Sequence, residues 1–321
     1  MPSPRVGVLG ATGAVGGVLR DLLRDWDDVR YFASARSAGT ELDGRVVEEA
    51  TAEALESGDL DLCFSAIGAS ASLELVPHAV RGGAVAIDKS SAWRMKPDVP
   101  LVVPEVNGER ALEHNGVIAV PNCSTIQMMV ALKPLHDAAG LRSVRVATYQ
   151  SVSGAGKQSM ERLRAESVEE HDLRGDWTME GEDFEEEAKI REETRKILEL
   201  PDLPVQATCV RVPVLVGHLE AIWIETQDAL EPEQARSLLA QAPGLRVVDF
   251  PSPKQAAGVD EILVGRVRRD PATRNGLALM VAGDNLRKGA ALNAVQIAQL
   301  LLGRADARPP SARSAPHLAR G

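Results

Sequence analysis

The sequence is poor in cysteine and aromatic residues, and it contains no long apolar run. Its 321 residues include three cysteines, an odd number too small for a disulfide framework, and no CxxC or histidine-rich spacing typical of structural zinc sites. No apolar run approaches the roughly 18 residues of a membrane span, and the first residues lack the pattern of a signal peptide. We therefore expect a cytoplasmic protein with free thiols, no metal and no membrane partner.

Basic charge is scarce as well. The chain carries 36 lysine and arginine residues against 46 aspartate and glutamate residues, a net charge of −10. Nucleic acids are bound through a basic face, so this balance argues against a nucleic-acid partner. Much of the acid lies in MEGEDFEEEAKIREE (179–193), which predicts a helix with a largely solvated face.

The first 120 residues alternate short apolar runs with helix-like stretches. Gly, Pro, Asp and Asn bound the apolar runs, as is typical of strand ends. A helix is predicted at 14–26, and strands are predicted at 5–10, 29–35, 60–68, 83–90, 100–107 and 116–122. Near-continuous apolar strands with helical crossovers indicate an α/β fold with a Rossmann-like, doubly wound parallel sheet.

The pattern changes after this region. Alternating strands are predicted at 141–154, 206–226, 245–251, 261–270 and 276–284, around a charged helical stretch at 157–199. They indicate an α+β domain with a mixed, largely antiparallel sheet. We predict a nucleotide-binding domain (1–122, completed by a C-terminal helix at 286–303) and a catalytic and dimerisation domain (123–285). The tail at 304–321, rich in Pro, Ala and Arg, is predicted to be disordered.

A glycine loop follows the first predicted strand. In VGVLGATGAVG, Gly10, Gly13 and Gly16 allow a tight turn and a close approach of backbone N–H groups to a pyrophosphate at a helix N-terminus. The next strand ends in ASARSAG, without the acidic residue that holds the ribose of NAD. Arg36, flanked by the hydroxyls of Ser34 and Ser37, suits a 2′-phosphate, so the sequence favours NADP.

One cysteine has the context of a nucleophile. Cys123 follows a predicted strand and begins the helix-like run CSTIQMMVAL. Unpaired N–H groups and the helix dipole stabilise a thiolate at such a position, and we expect them to lower the pKa of this thiol. Cys63 and Cys209 lie inside apolar strands and are predicted to be core residues.

A nucleophile also needs a base and binding groups. RVPVLVGHLE (211–220) offers Arg211, His218 and Glu220 in one strand–turn unit, and His218 follows Gly217 at a strand end. YQSVSGAGK (149–157) offers Gln150. These residues are candidates for the acid–base group and for substrate binding.

Seven motifs in order carry a family resemblance, from about residue 5 to residue 303. They are GATGAVG, SARSAG, SSAWRM, PNCSTIQM, YQSVSGAG, RVPVLVGHLE and DNLRKGAALNAVQIA. Together they resemble the aspartate-semialdehyde dehydrogenase family. The resemblance implies NADPH-dependent reductive dephosphorylation of L-aspartyl 4-phosphate to L-aspartate 4-semialdehyde through an acyl-thioester. That reaction serves the biosynthesis of lysine, threonine, methionine and isoleucine. The resemblance also implies a homodimer or a dimer of dimers.

The resemblance assigns a role to each matching position. It implies Cys123 as nucleophile, His218 as general acid–base, and Gln150 as the residue that positions the substrate. Arg211 would clamp the substrate α-carboxylate and Glu186 would meet its ammonium. The phosphoryl group would be held by Arg94 and Lys189, and the NADP contacts would come from Gly10, Thr12, Gly13, Ala14, Val15, Arg36, Ser37, Ser153, Gly154 and Asn285.

Departures from the family pattern and two alternatives remain open at this point. Lys89, Ile190 and Leu219 stand where the family usually carries Asn, Met and Ser. An N-acetyl-γ-glutamyl-phosphate reductase would use the same chemistry, but its cysteine motif and cofactor loop differ from those found here. A non-catalytic NADP-binding paralogue would be expected to lack at least one of the four groups Cys123, Gln150, Arg211 and His218, all of which are present.

Overall fold

A Rossmann-like sheet forms the first part of the chain. The computed structural model describes residues 3–165, 175 and 177–303, so the tail at 304–321 lies outside the described residues. The sheet has seven strands in the order β3-β4-β2-β1-β5-β6-β7, all pairs parallel except β3 with β4. The strands are β1 (Val6–Leu9), β2 (Val29–Ala33), β3 (Glu41–Leu42), β4 (Arg45–Glu49), β5 (Leu62–Ser65), β6 (Val85–Asp88) and β7 (Val117–Ala119).

The apolar runs of the sequence account for the central strands. Every residue of β1 and β5 is buried, as expected for parallel strands covered on both faces. The crossover helices are α1 (Ala14–Leu22), α2 (Ala52–Glu56) and α3 (Ala69–Arg81). The predicted doubly wound parallel sheet is thereby confirmed.

One predicted strand of this region is wrong. The apolar stretch at 100–107 makes a single parallel bridge, from Leu101 to Ala119. Pro104 then begins the short helix α4 (Pro104–Asn107), because proline lacks an N–H and has a fixed φ that suits the first helical position. The stretch is apolar since Val102 and Val103 are fully buried in an extended connection.

A second sheet follows, and its mixed, largely antiparallel character is confirmed. Its order is β11-β8-β12-β15-β14-β13, with parallel pairs only at β11–β8 and β13–β14 within the described residues. The predicted strand at 206–226 is two strands, separated by a turn at Gly217 (φ +95°). The strands are β8 (Leu141–Ser151), β11 (Val205–Val212), β12 (His218–Thr226), β13 (Leu245–Val247), β14 (Ile262–Asp270) and β15 (Gly276–Gly283), with a small hairpin of β9 (Met179–Glu180) and β10 (Asp183–Phe184).

A long buried helix joins the two sheets. Helix α5 (Cys123–Ala139) buries every residue from Ser124 to Leu132, because it packs against α4 on one side and against β12 and β15 on the other. The remaining helices are α6 (Lys157–Ala165), α7 (Glu185–Leu198), α8 (Pro232–Gln241), α9 (Pro253–Ala256) and α10 (Leu292–Leu301). None of the helices in the described part of the chain is long and apolar enough to cross a membrane.

The last helix returns to the first sheet. Helix α10 packs against α1, α4 and β6. A buried ion pair holds this return, since Lys288 Nζ donates to Glu105 Oε2 at 2.7 Å and to the amide oxygens of Asn293 and Gln296. Burial lowers the pKa of Lys288, and Glu105 offsets that effect. The exact domain boundary at 122/123 stays a prediction.

The glycine loop lies at the carboxyl ends of β1 and β5, where the strand order reverses. Gly10 has φ +86°, and a Cβ there would lie 2.8 Å from the carbonyl oxygen of Ala66. A Cβ on Gly16 would lie 2.2 Å from the carbonyl oxygen of Gly10. The loop can therefore fold back on the start of α1 only with glycine at position 16, and ligands bind at such a switch point.

Two adjacent glycines of α1 provide a matched pair of substitutions. Gly16→Ala forces the loop to move and is expected to destabilise the protein by about 1–3 kcal/mol. Gly17→Ala meets no atom closer than Arg20 Nη2 at 3.9 Å. It is expected to be neutral or to stabilise the helix by about 0.5–1 kcal/mol. Thermal unfolding of the ligand-free variants measures both effects, and equal melting temperatures would contradict the close-approach argument.

Candidate active site

A cavity of about 320 Å³ opens between the glycine loop, the start of α5 and the edge of the second sheet. It lies where the carboxyl ends of the parallel strands meet the second sheet, the usual location of ligands in this fold. Predicted site residues from both halves of the chain line it: Gly13, Ala14, Val15, Arg94, Cys123, Gln150, Ser153, Gly154, Glu186, Arg211 and Asn285.

Cys123 is the first residue of α5, and Asn122 fixes its position. The side-chain oxygen of Asn122 accepts hydrogen bonds from the backbone N–H groups of Ser124 (2.9 Å) and Thr125 (3.4 Å), which is the usual action of an N-cap. The sulfur of Cys123 lies 3.2 Å from Nε2 of His218. The two residues are 95 positions apart in the sequence, and the fold brings them into contact.

The proton position on His218 follows from its contacts. The ring is fully buried at the start of β12. Its Nδ1 accepts the backbone N–H of Ser151 at 3.0 Å, and the hydroxyl of Ser151 is also 3.0 Å away. Because Nδ1 is an acceptor, we assign the ring proton to Nε2, which faces the sulfur of Cys123. His218 therefore donates toward the thiol.

The site holds a neutral thiol beside a neutral imidazole. Burial, assisted by the Glu186 carboxylate, raises the pKa of Cys123 to about 12, although Arg211 and Arg94 act in the opposite direction. Burial and the charge of Arg211 lower the pKa of His218 to about 3. The expectation that the helix N-terminus lowers the pKa of this thiol is therefore wrong, because desolvation outweighs the N–H groups.

Three polar side chains line the same cavity as Cys123, namely Gln150, Glu186 and Arg211. Gln150 and Arg211 are neighbours in the register of β8 and β11, and Arg211 Nη1 lies 3.4 Å from Gln150 Oε1. Gln150 Nε2 donates to Glu186 Oε1 at 3.1 Å. The guanidinium of Arg211 stacks on the ring of Trp177 at 4.6 Å. A guanidinium and a carboxylate side by side suit the carboxylate and ammonium of an amino acid.

The two residues predicted to bind phosphate differ in position. Arg94 lines the cavity and is held by Glu193 Oε1 (2.9 Å) and by the carbonyl oxygens of Val120 and Lys89. Lys189 is not among the lining residues. Its Nζ lies 3.5 Å from Glu185 and 3.7 Å from Glu186, on the helix face that the i, i+3 spacing predicts.

The predicted cofactor residues form two groups. Gly13 ends the glycine loop as the N-cap of α1 without a side-chain cap, so the first-turn N–H groups are available to a phosphate. Gly10 and Thr12 belong to the same loop. Across the cavity, Asn285 Oδ1 accepts from the hydroxyls of Ser151 and Ser153 and from the N–H of Gly217.

Arg36 and Ser37 lie outside the cavity, in the turn after β2. Arg36 is exposed and makes no hydrogen bond or ion pair within the described residues. Strand β2 is the neighbour of β1 in the sheet. Arg36 and Ser37 are therefore on the side of the glycine loop away from Cys123. The adenosine end of a dinucleotide extends in this direction.

Several residues of the site escaped the sequence analysis. Ser151 fixes the ring of His218, Trp177 supports Arg211, and Glu193 pairs with Arg94. Glu193 lies in the acidic stretch that composition indicates is solvated, yet it is 1% exposed. Its spacing from Ile190 and Ile197, both buried, is the helical signal that could have found it.

Known proteins resemble this chain over most of its length. Two family models match, the NAD binding domain of semialdehyde dehydrogenase at residues 5–114 and the semialdehyde dehydrogenase dimerisation domain at 132–182 and 174–288. The aspartate-semialdehyde dehydrogenase of Streptomyces akiyoshiensis is 45% identical over 92% of this chain and 98% of its own length. The chain belongs to the aspartate-semialdehyde dehydrogenase family.

Solved structures of aspartate-semialdehyde dehydrogenases have the same fold. The Vibrio cholerae enzyme II, in complex with ASA, superposes with a TM-score of 0.89 at 38% identity, over 95% of this chain and 100% of that one. The Candida albicans enzyme, solved with NADP, has a TM-score of 0.76 at 26% identity, over 94% of this chain and 99% of that one. The expected family is thereby confirmed.

Glu186 provides a test of the thiol environment. Replacing Glu186 with Gln removes the charge that most raises the pKa of Cys123 and keeps an oxygen for Asn122 and Gln150. At pH 8, alkylation of Cys123 by iodoacetamide is expected to accelerate roughly three- to tenfold. In the unsubstituted protein the rate should rise with pH beyond pH 9 without a plateau. Mass spectrometry of the labelled peptide gives the rates.

Glu185→Gln is the matched control, one position along the same helix and absent from the cavity wall. It is expected to leave the alkylation rate within about twofold of the unsubstituted protein, because solvent screens a partly exposed charge. An alkylation plateau near pH 6–7 would contradict the neutral pair and indicate a thiolate–imidazolium pair instead.

Proposed function

We propose that this chain is an NADP-dependent, phosphorylating aspartate-semialdehyde dehydrogenase. In the biosynthetic direction it reduces L-aspartyl 4-phosphate to L-aspartate 4-semialdehyde through a thioester on Cys123, a step toward lysine, threonine, methionine and isoleucine. The observation that carries the proposal is the 3.2 Å contact of Cys123 with His218 in a cavity shared with Gln150, Glu186 and Arg211. Family membership supports it independently.

Substrate orientation comes from the polar wall of the cavity. We assign the α-carboxylate to Arg211, whose planar guanidinium suits a two-point contact. The α-ammonium belongs with Glu186, and Gln150 lies between the two. This arrangement turns the phosphorylated end of the substrate toward Cys123 and Arg94. Lys189 is assigned to the same phosphoryl group on the strength of the resemblance.

Acylation uses the sulfur of Cys123. The C4–S bond forms as the C4–O bond to phosphate breaks, and the thiol proton leaves with the phosphate. The Nε2–H of His218 faces the sulfur and stabilises the developing thiolate. The thioester that results is more electrophilic toward hydride than a carboxylate, which is the reason to use sulfur.

Reduction regenerates the free cysteine. The glycine loop would hold a reduced nicotinamide cofactor, which would supply the hydride that the thioester carbon needs. The Nε2–H of His218 stabilises the oxyanion at C4 and then the thiolate released when the C4–S bond breaks. The proton consumed in the net reaction enters when that thiolate is protonated. His218 is expected to act as a general acid–base. Because its Nδ1 accepts the N–H of Ser151, its Nε2 carries the ring proton and acts as a donor in these steps.

The cofactor preference is assigned to Arg36 and Ser37. Gly13, Ala14 and Val15 would give the pyrophosphate an uncapped helix N-terminus, and the close contact of Gly16 with the backbone of Gly10 sets the shape of the loop at that terminus. The exposed Arg36, together with Ser37, would hold the 2′-phosphate of NADP. Ser153, Gly154 and Asn285 would face the nicotinamide end, next to Cys123.

We further propose a homodimer built on the second sheet. Support comes from the match to a dimerisation domain over this region and from the outward face of the sheet, where Arg145 and Tyr149 are exposed and Ala147 and Trp223 are partly exposed. The proposed domains are 1–122 with 286–303 for the nucleotide, and 123–285 for catalysis and dimerisation.

A phosphate-dependent assay tests the proposed reaction. In the reverse direction, the protein is expected to reduce NADP with L-aspartate 4-semialdehyde only when phosphate is present, followed at 340 nm. N-acetyl-glutamate 5-semialdehyde should be a poor substrate. Cys123→Ala is expected to lower kcat by about a thousandfold or more. The buried Cys63 gives the matched control, and Cys63→Ala should retain most activity. Turnover indifferent to phosphate would refute the proposal.

The 2′-phosphate assignment has its own test. Arg36→Ala is expected to lower kcat/KM for NADP roughly tenfold or more, with little change for NAD, because a charge-assisted contact to the 2′-phosphate is lost. Arg24→Ala serves as the control, because Arg24 is exposed, follows α1 and lies outside the cavity. An unchanged ratio of the two kcat/KM values would show that the preference for NADP arises elsewhere.

A further inference from the structure

The cations in the cavity wall are not equally neutralised. Within the described residues, the lining includes Lys89, Arg94, Lys157 and Arg211. Arg94 pairs with the buried Glu193 at 2.9 Å. Arg211 bonds to Gln150 and to the carbonyl oxygen of Ser151 and stacks on an aromatic ring. Lys157 is exposed to solvent. Lys89 differs from all three. It is partly buried, and its ammonium has no hydrogen bond or ion pair within the described residues.

The backbone of Lys89 is fixed on both sides. The residue directly follows β6, its N–H donates to the carbonyl oxygen of Ser65 at 3.1 Å, and its own carbonyl accepts Arg94 Nη2 at 2.7 Å. The side chain lines the cavity with Arg94 and Cys123. Its Nζ makes no hydrogen bond or ion pair with any other residue that the structure describes.

The neighbouring carboxylate is committed elsewhere. Asp88 is fully buried, and its oxygens accept from the hydroxyls of Ser72 and Ser90 and from the N–H of Ser90. Burial and the nearby Arg94 lower the pKa of Lys89, while Asp88 and Cys123 act to raise it. A partly buried ammonium with no partner is costly unless an anionic ligand completes its surroundings.

We propose that Lys89 binds the phosphoryl oxygens of the acyl phosphate, and free phosphate in the reverse reaction, beside Arg94. This inference rests on the proposed function and names a phosphate-binding residue of that site. The strand order favours the substrate's phosphate over the cofactor's pyrophosphate. The pyrophosphate site is at β1, and Lys89 follows β6, two strands away across β5. Lys189 lies near two carboxylates, Glu185 and Glu186, which offset much of its positive charge. A further cation, Lys89, is therefore needed to balance the negative charge of the phosphoryl group.

Lys89→Met and Lys89→Arg test the inference. The methionine variant is expected to raise the Kd for inorganic phosphate, measured by calorimetry on the whole protein, and the KM for phosphate roughly tenfold or more. The KM values for L-aspartate 4-semialdehyde and NADP should change less than about threefold. Lys89→Arg keeps the charge and should stay within about threefold for phosphate. Removing an unpaired charge is expected to leave the melting temperature unchanged or higher.

Lys254→Met is the control, since Lys254 is exposed and outside the cavity. It should leave every constant unchanged. An unchanged phosphate Kd in Lys89→Met, or a rise confined to the KM for NADP, would overturn the inference. Calorimetry tests phosphate binding by Lys89 independently of the proposed reaction, because the Kd for phosphate is measured without turnover. If the unsubstituted protein binds phosphate through Lys89 but does not turn over the semialdehyde, the reaction fails and the lysine assignment stands.

Discussion

The geometry of the site depends on the hydrogen bonds of one residue, Asn122. Its oxygen caps α5 and thereby fixes Cys123, and its Nδ2 donates to Glu186 at 2.9 Å. Its backbone N–H donates to Glu193 at 2.7 Å, and Glu193 in turn holds Arg94. One residue thus links the nucleophile, the α7 helix and a cation from the Rossmann-like sheet. Since each partner is buried, a shift of Asn122 would leave a polar group unpaired, which costs more than the bond itself contributes.

Buried carboxylates explain how an acidic protein maintains a site for anionic ligands. Glu193 neutralises Arg94 and Glu186 interacts with Lys189, so these cations are held in position before any ligand binds. These ion pairs weaken the attraction of a phosphoryl group, because a cation paired with a carboxylate has less net positive charge to offer it. Within the part of the chain that the structure describes, Lys89 is a partly buried cation of the cavity wall whose ammonium has no ion pair or hydrogen bond. It also stands where the family usually carries Asn.

The sequence predicted the fold more completely than the site. Apolar runs such as 62–65 and 85–88 predict buried parallel strands because they are short and are bounded by turn residues. The stretch at 100–107 failed because an extended buried connection has the same composition as a strand. Cys123 and His218 meet across 95 positions, and no local pattern encodes that contact, so their pairing came from the family resemblance. Glu193 and Trp177 were missed because their roles exist only through tertiary contacts to Arg94 and Arg211.

The neutral thiol–imidazole pair gives substrate binding a direct effect on the nucleophile. Burial keeps the thiol protonated, and Glu186 is the charge that adds most to this effect. In the proposed complex the substrate ammonium lies against that same carboxylate and offsets its charge, while the substrate carboxylate and phosphoryl group lie against Arg211 and Arg94, the two cations that lower the pKa of Cys123. Because Nδ1 of His218 is occupied by Ser151, the ring stabilises the thiolate by donation from Nε2. Substrate binding therefore changes each of the charges that act on the sulfur, and the Nε2–H of His218 is the donor whose position these charges do not alter.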